Sequence, residues 1–299
     1  MSSNQSSKHL LAQCASSALV AMPPVLTRVV PTTRARAVTT SPDAPRRAST
    51  PHRVGSTKNE LLRNQTTHFS RTLLIVQSSP RSNDGAQGTV EYVTPDPQTF
   101  LVGSCATYAV MTAAAQVLCA FAEVHPDVRD ATAHGFNADA AALWMVPLLA
   151  SLTVAVTQAD KVEFLREVKV MLKEGVLPSV APLGALGILA LSVGAGIGEE
   201  AMFRGFLMPW VDLRLESFGL NGDVSALGAL ATTSLFFGAL HAITPAYAIW
   251  ATWASVLFSI EYVRDGLGSA MFTHALYDYL AFLYIIVSWM PDRAPEASE

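Results

Sequence analysis

The sequence predicts an all-α fold: a polytopic membrane bundle of about six transmembrane helices behind a disordered N-terminal leader. Three observations carry this expectation. The 299 residues are 51% hydrophobic and only 15% charged, with a mean hydropathy of +0.32, too apolar for an ordinary water-soluble domain. From Thr99 onward, apolar runs reach the ~20 residues that a helix needs to cross a bilayer. The charge is also divided: residues 1–90 carry 11 Lys/Arg against 3 Asp/Glu, and residues 91–299 carry 9 against 21, so a +8 segment precedes a −12 segment. Two physically different objects share one chain.

Residues 1–83 are rich in Ser, Thr, Ala and Arg, hold only Asp43 and Glu60 as acids and show no sustained hydrophobic period. That is the composition of an organelle transit peptide. Such a cationic leader has too little apolar surface to offset its chain entropy, so an import receptor can thread it. The expected location is a chloroplast membrane, thylakoid or envelope, with the mitochondrial inner membrane or the endoplasmic reticulum as alternatives. The last of these needs a secretory signal at residues 10–22, whose apolar region is interrupted by Gln13, Ser16 and Ser17; in that case Asn64-Gln65-Thr66 becomes a glycosylation site. Residues 84–98, with two prolines, read as a polar linker, and residues 291–299 as a polar tail.

The transmembrane domain occupies 99–290. Candidate spans run over 99–122, 138–158, 178–208, 225–243, 246–263 and 267–290. Trp144, Trp210, Trp250 and Trp289 fall near proposed ends, as interfacial anchors do. Gly184, Gly187, Gly194, Gly196 and Gly198 lie on the third span, where they permit close helix contact. Cys105 and Cys119 share the first span, roughly 21 Å apart at ~1.5 Å per helical residue, beyond disulfide reach. The connection over 159–177 holds Lys161, Arg166, Lys169 and Lys173, so positive-inside reasoning puts it and both termini on the cytosolic or stromal side. Continuous helices would leave His241 near one surface while Glu199 and His274 lean toward the other, so the fourth and fifth spans, joined through Pro245, are expected to be broken or partly re-entrant.

Ionisable groups inside apolar spans cost several kcal/mol unless they pair or face a wet cavity, and they therefore mark function by default. Three clusters qualify: Glu199-Glu200-Ala-Met-Phe-Arg204 on the third span, Phe237-Gly-Ala-Leu-His241 on the fourth, and His274-Ala-Leu-Tyr-Asp278 on the sixth. No other ionisable residue is expected so deep. Glu200 and Arg204, four apart, share a face and can pair, while Glu199 points about 100° away and is left for chemistry. His274 and Asp278 also share a face, and His241 comes from a third direction. One carboxylate and two imidazoles converging from three helices suit hydrolysis, either as metal ligands or as a base with electrophilic partners. The plainer reading keeps Glu200 with Arg204 as a structural bridge and Phe237 as packing one turn from His241. Tyr277 and Tyr279 read as lining or interfacial residues.

The ordered set Glu199, Glu200, Arg204, then Phe237 and His241, then His274 and Asp278, on successive apolar helices, resembles the family of CAAX prenyl endopeptidases and bacteriocin-processing membrane proteases. Gly198-Glu-Glu-Ala-Met-Phe-Arg-Gly-Phe-Leu is close to the family's first motif, and the resemblance covers roughly 180–285. It implies an intramembrane endopeptidase of the type II CAAX class, often called a metalloprotease. By position, Glu199 is the base that activates water, assisted by His241; His274 and Asp278 stabilise the oxyanion; Glu200, Arg204 and Phe237 support the site. If a divalent metal such as zinc is bound, Glu199, His241, His274 and Asp278 are its ligands. The family's third motif usually ends in Asn, and an ionised Asp278 cannot donate a hydrogen bond. Asp278 is then protonated, or orients His274, or ligates a metal. The implied partners are a lipid bilayer and a membrane protein or peptide substrate, with no nucleic acid. A non-catalytic membrane scaffold on the same fold is the alternative. Transport finds little support, because the chain shows no internal repeat.

Overall fold

The structure is a computed structural model that describes residues 26–30 and 89–290. Most of the expected leader and the expected 291–299 tail lie outside the described residues. Two short strands, β1 (Leu26–Val30) and β2 (Thr89–Val93), pair in a small sheet, which belongs largely to a unit of its own, Thr27–Glu91. From Pro97 on, the described chain is built of helices.

Local chemistry sets the helix starts. Asp96 caps α1 (Pro97–Ala122), accepting a hydrogen bond from the Thr99 amide at 3.0 Å, with Pro97 in the first turn where no amide hydrogen is needed. A short α2 (Val128–His134) follows, and Asn137 caps α3 (Ala138–Gln158). Next comes a long run of helical segments, broken at Gly184, whose φ of 65° is not helical. It contains α4 (Glu163–Met171), a π-helical turn at Leu172–Val176, α5 (Leu177–Val180), α6 (Gly184–Glu200), a second π-helical stretch at Ala201–Leu207 and α7 (Met208–Ser217). Asn221 caps α8 (Gly222–Leu240). Thr244 caps α9 (Pro245–Asp265), accepting from the Tyr247 amide. Gly266, at φ 94°, makes the tight connection into α10 (Leu267–Trp289).

Helix α6 lies at the centre, packed between α1 and α10, while α9 packs against both α8 and α10. Two glycines let α6 approach so closely. A Cβ on Gly196 would stand 2.7 Å from the Met271 carbonyl oxygen and the Ala275 amide of α10, and one on Gly198 would stand 2.8 Å from the Tyr108 backbone of α1. These contacts set Glu199 between two neighbouring helices. Large apolar side chains such as Val102, Leu143, Leu186 and Val287 face outward, as lipid-facing surfaces require.

Among the described residues, five helical stretches are long and apolar enough to cross a membrane: α1, α3, the run over Glu163–Ser217, α8 and α10. Six spans were expected. The difference is α9, whose Ser255, Ser259 and Glu261 are all buried inside the bundle; a helix with a polar interior face reads as less apolar than its position warrants. The expected conflict in depth also disappears. His241 ends α8 as its C-cap residue, and it meets Glu199 and His274 rather than lying apart from them. Trp250 is half-buried and lines two cavities.

Candidate functional site

Glu199 stands one residue before the end of α6, and its carboxylate is buried. Its Oε2 lies 3.9 Å from Nε2 of His241 and 3.9 Å from Nε2 of His274. The two imidazoles thus approach the same carboxylate oxygen from α8 and α10. Both distances are too long for a direct hydrogen bond. A water with hydrogen bonds of about 2.7–2.8 Å spans either gap, bent near 90° at the water oxygen.

Each ring is held on its far side. His241 Nδ1 is 2.8 Å from the Phe237 carbonyl oxygen; a carbonyl only accepts, so Nδ1 carries the proton and Nε2 faces Glu199. Phe237 also stacks on that ring, with centroids 4.3 Å apart. His274 Nδ1 donates to Glu200 Oε1 at 2.7 Å, and Phe258 stacks on the ring at 4.5 Å and 10°. Asp278 Oδ2 lies 3.5 Å from His274 Nε2, so carboxylates flank this ring at both nitrogens.

Glu200 is the hinge of the arrangement. Its Oε1 also accepts from Arg204 at 2.9 Å, the pairing expected from their spacing. The Arg204 guanidinium, 1% exposed, goes on to α9, donating to the Ser255 carbonyl and hydroxyl oxygens at 2.7 Å each and to Ser259 Oγ at 3.3 Å. It lies 5.3 Å from the Phe237 ring centre and 5.7 Å from that of Phe258. The two rings behind the histidines therefore both contact one buried cation, and the pair Glu200–Arg204 ties α6, α9 and α10 together.

The sequence patterns find Glu199, Glu200, Arg204, Phe237, His241, His274 and Asp278, and the structure brings all seven to one place. They miss Phe258, Ser255, Ser259 and the buried acid Glu261. The available signal was the i, i+4 spacing of Ser255 and Ser259. Glu261 lies two residues from the proposed end of its span, where an acid reads as near the surface; its complete burial overturns the expectation that no other ionisable residue sits so deep.

A cavity of about 80 Å³ is lined by Tyr108, Glu199, Phe237, His241, Tyr247, His274 and Asp278. A second, of about 300 Å³, is lined mainly by apolar and aromatic residues of α3, α4, α9 and α10. Tyr247, Trp250, Tyr277, Asp278 and Phe282 line both.

A tetrahedral zinc with bonds of about 2.0–2.1 Å holds two ligand atoms roughly 3.3–3.4 Å apart. The 3.9 Å gaps exceed this, and among the described residues no three His, Cys, Asp or Glu side chains are gathered to hold a metal ion. The four candidate ligands as arranged do not fit the ion.

Fold and site together define a polytopic helical membrane protein with a buried carboxylate–imidazole centre. Residues 181–280 match the family model described as Type II CAAX prenyl endopeptidase Rce1-like, a stretch that contains all seven of these residues. The match makes this segment similar to the type II CAAX prenyl endopeptidase family. No curated protein and no solved structure matches the chain.

Proposed function

We propose that the protein is an intramembrane endopeptidase in which Glu199 activates water against the peptide bond of a membrane-associated protein or peptide. The observation that carries the proposal is the position of the Glu199 carboxylate, equidistant from two imidazole nitrogens at a separation that one water fits. Glu199 accepts a proton from that water while His241 Nε2, unprotonated, accepts its second hydrogen bond and aims it. The oxygen attacks the scissile carbonyl carbon. The resulting oxyanion lies against His274, whose doubly protonated form is counter-charged by Glu200 at one nitrogen and Asp278 at the other. Glu199 then returns the proton to the departing amine, which balances the step.

The apolar cavity beside the site suits the hydrophobic portion of a substrate that stays in the membrane. The cationic, acid-poor leader supports import into an organelle, with the chloroplast thylakoid or envelope as the proposed membrane.

The test is cleavage by proteoliposomes carrying wild type or Glu199→Ala, using internally quenched peptides with a farnesylated or an unmodified C-terminal cysteine motif and, in parallel, the membrane proteome of a null strain. A precursor that accumulates both without the protein and with only Glu199→Ala supports the proposal. Full rescue of the null strain by both the Glu199→Ala and His241→Ala variants would replace it with the scaffold reading.

A further inference from the structure

Glu261 takes no part in the chemistry above, yet it is 0% exposed and none of the functional motifs includes it. Its Oε1 accepts a hydrogen bond of 2.6 Å from the Thr273 hydroxyl, and its Oε2 is buried without a partner. A carboxylate so placed costs stability unless its position does something.

Thr273 is unusual in its own way. Seven other helical threonines, Thr107, Thr112, Thr132, Thr153, Thr157, Thr233 and Thr252, turn their hydroxyls back to the carbonyl four residues earlier in the same helix. Thr273 instead crosses to α9. It is also the residue immediately before His274, and Glu261 lies one turn beyond Phe258, whose ring stacks on His274. Helices α9 and α10 form an antiparallel hairpin through Gly266. The hairpin therefore holds the imidazole by two adjacent contacts, a ring face from Phe258 and a hydrogen bond that Glu261 accepts from the neighbouring residue.

We infer that Glu261 is a positioning residue: through Thr273 it fixes the rotation of α10 about its axis, and with it the alignment of His274 Nδ1 on Glu200. A small rotation of α10 slides the ring off Phe258 and lengthens the 2.7 Å bond to Glu200. Ring stacking alone leaves that rotation free, because a flat face tolerates sliding; a short hydrogen bond one residue away does not. Glu261 also adds a buried acid to a bundle that already holds Glu199, Glu200 and Asp278 against one arginine, and the hydrogen bond it accepts from Thr273 fixes where that carboxyl group lies.

The catalytic consequence rests on the proposed protease reading, whereas the alignment of His274 does not, and the test separates them. Protein labelled with ¹⁵N-histidine in lipid nanodiscs gives a downfield Nδ1 proton resonance for His274, assigned by its loss in His274→Gln. Glu261→Leu and the near-isosteric Thr273→Val are expected to shift or abolish it, and Glu261→Gln and Thr273→Ser to preserve it. Where a cleavable peptide is in hand, the first two variants lower kcat about tenfold with KM unchanged, and the double variant falls no further than either single one. Thr273→Val keeps the test open if Glu261→Leu does not fold. An unmoved His274 resonance in folded Thr273→Val would overturn the inference whatever the protein cleaves, whereas a moved resonance without any peptidase activity would leave it standing and count against the protease reading alone.

Discussion

Glu200 and His274, 74 residues apart in the chain, are joined by a 2.7 Å hydrogen bond from Nδ1 to Oε1. The same oxygen receives Arg204 at 2.9 Å. One carboxylate thus neutralises a buried guanidinium and fixes the orientation of the imidazole that faces the cavity, which makes Glu200 structural and functional at once. Two adjacent glutamates accordingly divide the work, Glu199 facing the cavity and Glu200 facing away from it.

Splitting these two duties by mutation gives a specific expectation. Glu200→Leu leaves the Arg204 charge buried and unpaired, which costs about 3–5 kcal/mol. Adding Arg204→Met removes that charge, and thermal unfolding in detergent is expected to recover most of the loss. Cleavage is not expected to recover, because His274 still lacks its anchor. Restored activity in the stable double variant would show that Glu200 serves the fold alone.

The close passage of α6 past α10 gives a second expectation. Gly196→Ala places a Cβ 2.7 Å from backbone atoms of Met271 and Ala275, an overpacking that costs about 1–3 kcal/mol and outweighs the gain of at most ~1 kcal/mol from better helix propensity. Gly103, in α1, has nothing within 4 Å of such a Cβ, so Gly103→Ala is expected to stabilise by up to ~1 kcal/mol. Thermal unfolding of both variants in nanodiscs decides this; equal midpoints would mean that α6 and α10 are not so close.

These relationships separate what spacing reveals from what it does not. The i, i+4 pairs Glu200–Arg204 and His274–Asp278 are legible because one helix sets their geometry. The bond from His274 to Glu200 depends on how α6 meets α10, which no local pattern encodes. Helix α9 was the least legible element. Phe258, Ser255, Ser259 and Glu261 all turn inward, and an inward polar face lowers apparent hydrophobicity in the helix that holds the histidine in place. The π-helical stretch Ala201–Leu207 likewise leaves no trace in residue spacing, although it begins directly after the two glutamates. Such widened turns recur at functional sites.

Asp278 lies 3.5 Å from His274 Nε2 and is partly exposed, lining both cavities. A residue at this separation acts on the imidazole or the oxyanion by charge or by a donated proton, and an amide can replace it in part. Asp278→Asn is expected to keep cleavage within about tenfold of wild type. Chelation with 1,10-phenanthroline is expected to leave the rate unchanged, in keeping with gaps too wide for a tetrahedral ion. Complete loss of activity in Asp278→Asn, together with inhibition by the chelator that zinc reverses, would establish ligation instead.

Glu199→Gln is the most direct test of the chemistry. Gln keeps the size and one acceptor oxygen of Glu, so the water position and the packing between Tyr108 and α10 are retained, but an amide cannot take the proton that attack releases. Cleavage is expected to fall by about 10²–10⁴-fold, with thermal unfolding close to that of wild type. KM is expected to change little, since Glu199 binds the attacking water rather than the apolar body of the substrate. His241→Gln is expected to lose less, because it removes the group that aims the water and not the one that accepts its proton. The ratio between these two losses carries the information: a larger loss at His241 than at Glu199 would transfer the base role to the imidazole.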